Sequence, residues 1–185
     1  GYIKDWGMEQ ILRDSRIATI YEGTTGIQAL DLIGRKTLMD KFKQLKIFTS
    51  EMRQFVMPLL LSSKTSKTMR KYAWKTLKMS LKWRYLALRM ALQAKRDKDS
   101  VGAGSVDFLM FSGYAFMAYM WMQMAAKAEQ KLNSAEGDSQ FNQDKLISAE
   151  FFFERYLPQS TAHAKTISAN LGSLMDMPNS YFADS

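Results

Sequence analysis

The 185 residues include no cysteine and a single histidine, His163, which excludes a disulfide frame, a thiolate nucleophile and a multi-histidine metal centre. Only 3 prolines and 10 glycines interrupt a chain that is 46% hydrophobic, a composition that favours long helices around a sizeable core and leaves carboxylates, hydroxyls and a bound organic cofactor to carry any chemistry. The net charge of +8 is concentrated: residues 64–99 hold twelve Lys/Arg and two acids, so that segment carries +10 and the remainder −2.

The chain opens "GYIKDWG", without an initiator methionine or a basic-then-apolar leader, and Gly1 is therefore expected to be a cut inside a longer protein. The spacing predicts a first helix over residues 6–21, with Met8, Ile11, Leu12, Ser15 and Ala18 on one face. A second is expected to run from Gly26 to Pro58, which should kink or end it. Its apolar stripe is ambiguous in phase: Ile27, Leu30, Ile33 or Gly34, Thr37 or Leu38, Lys41 or Phe42, then Leu45 and Phe48. After the turn "LLSSKTSK", Ser63 or Thr65 should cap a third helix that reaches Lys95. Met69, Tyr72, Ala73, Met79, Trp83, Leu86 and Met90 form its apolar side, and Lys64, Lys67, Lys71, Lys75, Lys78 and Lys82 line another face.

"KRDKDSVGAGS" reads as a charged connection, followed by a fourth helix over 106–132, a polar loop, and shorter helices over 142–156 and 160–175 separated by Pro158. A loose tail is expected from residue 178. Long helices joined by short loops predict an all-α, up-and-down helical bundle.

One junction combines features of a chemical site. In "IYEGTTGIQ", Gly23 suits the left-handed position that ends a helix, and Thr25 with Gln28 reads as the capping box of the next. Glu22 then lies at the negative end of one helix dipole, which should raise its pKa, beside the phosphate-friendly start of another. That arrangement suits a general base. Geometry alone leaves the matter open, because a glutamate at a helix end is most often a solvated surface residue.

The stretch "GYIKDWGMEQILRDSRIATIYEGTTGIQALDLIGRK" resembles the C-terminal region of the acyl-CoA dehydrogenases. In that family a G-G-x-G-[YF] loop precedes a helix ending "RD-x-(R/K)-I-x-x-IYEGT", and a helix beginning "(S/T)-x-x-IQ" follows. The remainder is similar to the extra helical region of the long bacterial members, the methylmercaptopropionyl-CoA dehydrogenase-like group, through its helical pattern and the "ALDLIGRK" junction. The resemblance divides the chain into 1–36, the end of the catalytic helical domain, 37–177, an appended bundle, and the tail 178–185.

The resemblance implies an FAD enzyme that oxidises an acyl-CoA thioester to the 2,3-enoyl-CoA and passes electrons to an electron-transfer flavoprotein or similar acceptor. Carried over, Glu22 is the catalytic base, Gly23 lies against substrate, and Thr24, Thr25, Gly26 and Gly1 match cofactor-binding positions. Gly26 stands where the family often has Gln or Glu, so only its backbone carries over. Some members place the base on another helix; glutamate within "IYEGT" argues against that here. The fragment alone is expected to be inactive, and the parent a homo-oligomer in the cytoplasm or peripheral to the membrane.

A rival reading is a helical interaction module for subunit docking or peripheral membrane attachment. The lysine row fits a solvated face, contact with missing domains, or an anionic membrane surface. It lacks the interleaved arginines and exposed aromatics of a nucleic-acid site. "FLMFSGYAFMAYMWMQMAA", residues 108–126, is expected to be a core helix buried on most sides, with Met110, Met117, Met120, Met122 and Met124 filling gaps, rather than a membrane span. Of Phe151, Phe152 and Phe153, at least one should point outward. His163 is expected to be an ordinary helix residue.

Overall fold

The structure, a computed structural model, describes residues 4–20, 24–97, 99–135, 137–169, 178 and 181. No strand forms within them. A short turn at Lys4–Trp6 precedes α1 (Glu9–Ile20) and α2 (Thr24–Leu30), and α2 continues into a π-helical segment, Asp31–Met39. Then come α3 (Lys43–Leu61), α4 (Lys67–Ala94), α5 (Asp99–Asn133) and α6 (Ser139–Phe151). A π turn (Phe152–Tyr156) and a 3-10 turn (Leu157–Gln159) lead into α7 (Ser160–Thr166).

The expected second helix is in fact two helices with a wide-turn segment between them. Ala29, Ile33 and Thr37 are buried at intervals of four, and the Thr37 hydroxyl donates to the Leu32 carbonyl five residues back at 2.7 Å. A period wider than 3.6 keeps one face inward where the ordinary apolar stripe loses phase. Lys41 and Phe42 then take the left-handed conformation (φ 53° and 63°), which redirects the chain into α3. Pro58 does not end α3. The helix stops at Leu61, where the Ser62 N–H donates to the Pro58 carbonyl at 3.0 Å.

Ser66, rather than Ser63 or Thr65, caps α4 by accepting from the Met69 N–H at 3.2 Å. The apolar side of α4 is as expected, with Met69, Tyr72, Ala73, Met79, Trp83, Leu86 and Met90 all buried. α4 packs antiparallel on α5: Thr76 reaches Ala118 and Met90 meets Gly104. Phe48 of α3 stacks on Phe116 of α5 and meets Trp83 and Tyr119 edge-on, which joins the three long helices in one aromatic cluster.

The "GAG" stretch belongs to α5, not to the connection before it. The Asp97 carboxylate accepts from the Asp99 N–H at 2.9 Å and its carbonyl accepts from the Ser100 hydroxyl, which fixes the helix start seven residues before the expected one. Gly104 has a packing reason: a Cβ there would stand 3.0 Å from Met90 Cε. Small buried residues along α5 (Gly104, Ser105, Ser112, Ala115, Ala118) allow close helix approach.

α5 is long and apolar enough to cross a membrane by length and composition, yet it packs against α2, α4, α6 and α7. It is buried on one broad face rather than on most sides. Of the methionines expected in the core only Met122 is fully buried and Met120 partly; Met110, Met117 and Met124 are exposed.

α6 starts at Ser139, earlier than residue 142, because the Asp138 carboxylate accepts from the Gln140 and Phe141 N–H groups. Helical structure continues through Pro158, which sits in the first turn of the 3-10 element, where its missing N–H costs nothing. From α6 to α7 the chain lies antiparallel along α5, with Phe152 on Trp121, Gln159 on Tyr114 and His163 on Asp107. α7 ends at Thr166, with turns at 167–169; the rest of the helix expected to 175, and nearly all of the tail, lie outside the described residues.

Tyr72 is buried and stacks on Phe153 with centroids 4.3 Å and planes 7° apart. Burial, then the charges of Glu150 and Glu154, push its phenol from 10.0 up to about 12. The folded chain therefore holds this proton more tightly than the unfolded one. Its contribution is complete below pH 10 and is lost as the pH rises towards about 12. Alkaline unfolding followed by circular dichroism is expected in that window, and Tyr72→Phe should move its midpoint upward.

Candidate functional site

The junction read as a chemical site lies where α1 gives way to α2. α1 is a surface-paired helix: Arg13 reaches Glu9 at 3.2 Å and Gln10 reaches Asp14 at 2.8 Å. The expected apolar face is not buried among the described residues; Met8, Ile11, Leu12, Ser15 and Ala18 are all exposed, as are Ile17 and Ile20.

α2 opens at Thr24. Thr25 therefore falls within the first turn rather than at the N-cap, and the Thr25–Gln28 capping box is not how this helix starts. Thr24 is half-buried, Thr25 and Gly26 are exposed, and among the described residues nothing approaches within 4 Å of where a Gly26 Cβ would stand. Ala29, and Ile33 of the following segment, turn inward, while Ile27 and Leu30 face out at 68% and 47% exposure. In the first turn Thr25, Gly26 and Ile27 are therefore exposed and Thr24 is half-buried. Gly1, Glu22 and Gly23 lie outside the described residues, as do the expected left-handed ending at Gly23 and the expected shift at Glu22.

One turn further on, Asp31 forms a surface triad with Arg35 (Nη2–Oδ2 3.0 Å) and Lys36 (3.2 Å). The Arg35 guanidinium, seconded by Lys36, holds the Asp31 carboxyl below its ordinary range. Beside this triad is a cavity of about 420 Å³ lined by Leu32, Lys36, Thr37, Leu45, Phe48 and Trp83. The Trp83 indole N–H is buried and has no hydrogen-bond partner among the described residues. Nothing in the sequence pattern pointed to this cavity; the one signal available was the phase ambiguity between Ile33 and Phe42.

The lysine row divides. Lys71 and Lys75 both bind Glu154, at 3.0 and 2.8 Å, and Lys75 also donates to the Phe153 carbonyl at 3.0 Å. These two lysines dock the α6–α7 arm rather than a partner, and they hold the Glu154 carboxyl below its ordinary range. Lys78 lies over Trp74, 5.3 Å from the ring centroid. His163 Nδ1 sits 2.8 Å from Asp107 Oδ1, tying α7 to α5, and no cluster among the described residues could hold a metal ion.

Two sequence families match the chain: "Acyl-CoA dehydrogenase, C-terminal domain" over residues 1–38 and "Acetyl-CoA dehydrogenase C-terminal like" over residues 48–178. Among curated proteins, the broad-specificity linear acyl-CoA dehydrogenase FadE5 of Mycobacterium tuberculosis is 31% identical over 98% of this chain and 30% of its own length. The 3-methylmercaptopropionyl-CoA dehydrogenase of Ruegeria pomeroyi is 31% identical over 95% of this chain and 29% of its own. The butyryl-CoA dehydrogenase of Syntrophomonas wolfei is 24% identical, over 98% of this chain and 30% of its own. The chain spans about 30% of the length of these relatives. With a family match across most of its residues, the chain belongs to the acyl-CoA dehydrogenase family, in the C-terminal helical region of that family.

Proposed function

We propose that this chain is the C-terminal portion of an FAD-dependent acyl-CoA dehydrogenase and that Glu22 is the base that removes the α-proton of an acyl-CoA thioester. The observation that carries the reading is the run "IYEGTTGIQ" inside the matched residues 1–38. The exposed Thr25 and the side-chain-free position at Gly26 fit it, since a hydroxyl and a bare backbone suit the approach of the phosphate part of a dinucleotide. Ile11, Leu12, Ile17 and Ile20, exposed here on more than one side of α1, would pack on the rest of the catalytic bundle.

In this reading the residues divide the work simply. The thioester α-proton is too weakly acidic for a carboxylate in water, so Glu22 acts where water is excluded and hydrogen bonds stabilise the developing enolate. The backbone N–H of Glu22 supplies one such bond to the thioester carbonyl, and Gly23 allows the substrate close. Thr24, Thr25, the backbone of Gly26 and Gly1 hold the cofactor. Bound flavin supplies a hydride acceptor for the β-hydrogen. Residues 37–177 form the appended bundle, and the fragment alone is inactive. An electron-transfer flavoprotein or similar protein is the acceptor.

The test is acyl-CoA-dependent reduction of an artificial electron acceptor by the longer protein that carries this chain. Turnover that requires the CoA thioester, with enoyl-CoA as product, supports the proposal; no turnover with short, medium or long acyl chains contradicts it.

A further inference from the structure

α4 has eight basic residues and no acidic one. Lys71 and Lys75 are engaged by Glu154, so they do not account for the outer side of the helix. That side is a ridge of Trp74, Leu81, Tyr85, Leu88 and Leu92, each 48–55% exposed, so exposed aromatics and Arg84 do accompany the lysines, contrary to the expectation from the sequence. Steps of seven, four, three and four residues set the five side chains on one line, about 27 Å long at the rise of an α-helix. Lys78 and Lys82 border the ridge on one side and Arg84 on the other. Alongside it a groove of about 530 Å³ runs between α3 and α4, with Phe42, Leu45, Leu81 and Leu88 as its apolar lining and Lys46 and Arg84 as its cations.

We propose that this ridge and groove dock on the surface of an anionic lipid bilayer. An apolar line containing Trp and Tyr, bordered by cations and free of acids, is the composition of a helix that lies in a membrane interface. Lysine and arginine stems can lie along the apolar surface while their heads reach lipid phosphates, and the groove is of a size and polarity to take one acyl chain below a negative head.

A protein occupant, whether a second copy or the rest of the longer protein, fits less well. A second copy seated across a two-fold axis would set this cationic face against itself, like charge on like. The cores of protein interfaces are depleted in lysine, whereas Lys78 and Lys82 border this ridge. The proposal does not depend on the chemistry assigned to Glu22, and its failure would leave that chemistry untouched.

The experiment is co-sedimentation of the full-length protein with phosphatidylcholine vesicles, with and without phosphatidylglycerol, at low and high salt. Binding should require the anionic lipid and weaken with salt. Lys78→Gln with Lys82→Gln should lower the partition constant about fivefold per cation, about 25-fold for the pair. Leu81→Ser with Leu88→Ser should lower it at both salt concentrations. All four side chains lie on the outer side of α4, so circular dichroism should be unchanged. Four results would overturn the proposal: no binding at low salt, equal binding to neutral vesicles, indifference to both pairs of substitutions, or a soluble dimer that the leucine pair dissociates.

Discussion

Glu22→Gln, made in the longer protein, is expected to slow acyl-CoA dehydrogenation by about 10²–10⁴-fold, the range typical for loss of a positioned general base. Glutamine keeps the size and shape of the side chain but cannot accept the α-proton. The loss should fall on kcat, with KM and flavin content nearly unchanged, because the groups proposed to hold cofactor and thioester remain in place. The variant would also keep the backbone N–H at this position, so any residual rate would report that hydrogen bond together with cofactor and thioester binding. Dehydrogenation near the wild-type rate would move the base to another residue and remove the main role given to the α1–α2 junction.

The largest effect on stability is expected at Phe153. Its side chain is fully buried and stacks on Tyr72, its carbonyl accepts from Lys75, and the next residue, Glu154, binds Lys71 and Lys75. Phe153→Ala removes the aromatic anchor by which the α6–α7 arm sits on α4. Cavity formation and lost burial should cost about 3–5 kcal/mol, with about 0.5–1.5 kcal/mol more from the stacked pair. That is a large share of the about 5–15 kcal/mol by which domains are stable. Phe151→Ala is the matched control: its ring is 57% exposed, and the change should stay within about 0.5 kcal/mol. Urea unfolding midpoints of the two variants decide the point, and similar midpoints would show that Phe153 does not anchor the arm.

The contrast between these phenylalanines was legible in part. Three aromatic residues in succession cannot all face one side of a helix, so one had to point out, although nothing local chose Phe151. The buried side of α4 was largely legible, because seven apolar residues recur at helical spacing over a long uninterrupted helix; Thr76, Leu77, Ser80 and Ala87 are buried beside them. Legibility failed where tertiary contacts override local pattern. Gly104 suggested a loop until Met90 is seen to pack where its side chain would stand. The wide turns at Asp31–Met39 left only an ambiguous phase in the sequence. Glu154, which takes two lysines out of the basic row, is 79 residues from Lys75, and Asp107, which holds His163, is 56 residues away.

The candidate site rests on a different kind of signal. Periodicity and capping alone left Glu22 an ordinary surface acid. The residue types of "IYEGTTGIQ", together with their spacing from "RDSRI", carry the resemblance on which the proposed chemistry rests. The structure corrects the local reading at Thr25 and places Thr24, Thr25 and Gly26 together at the opening of α2.

The role of Glu22 is tested without a steady-state assay by the visible absorption spectrum of the intact longer protein during anaerobic titration with an acyl-CoA. A yellow protein is expected, its flavin band bleached by the thioester in the wild type and left unbleached in Glu22→Gln. A colourless protein that cannot be loaded with FAD, or a flavin bleached equally in both, would contradict that role.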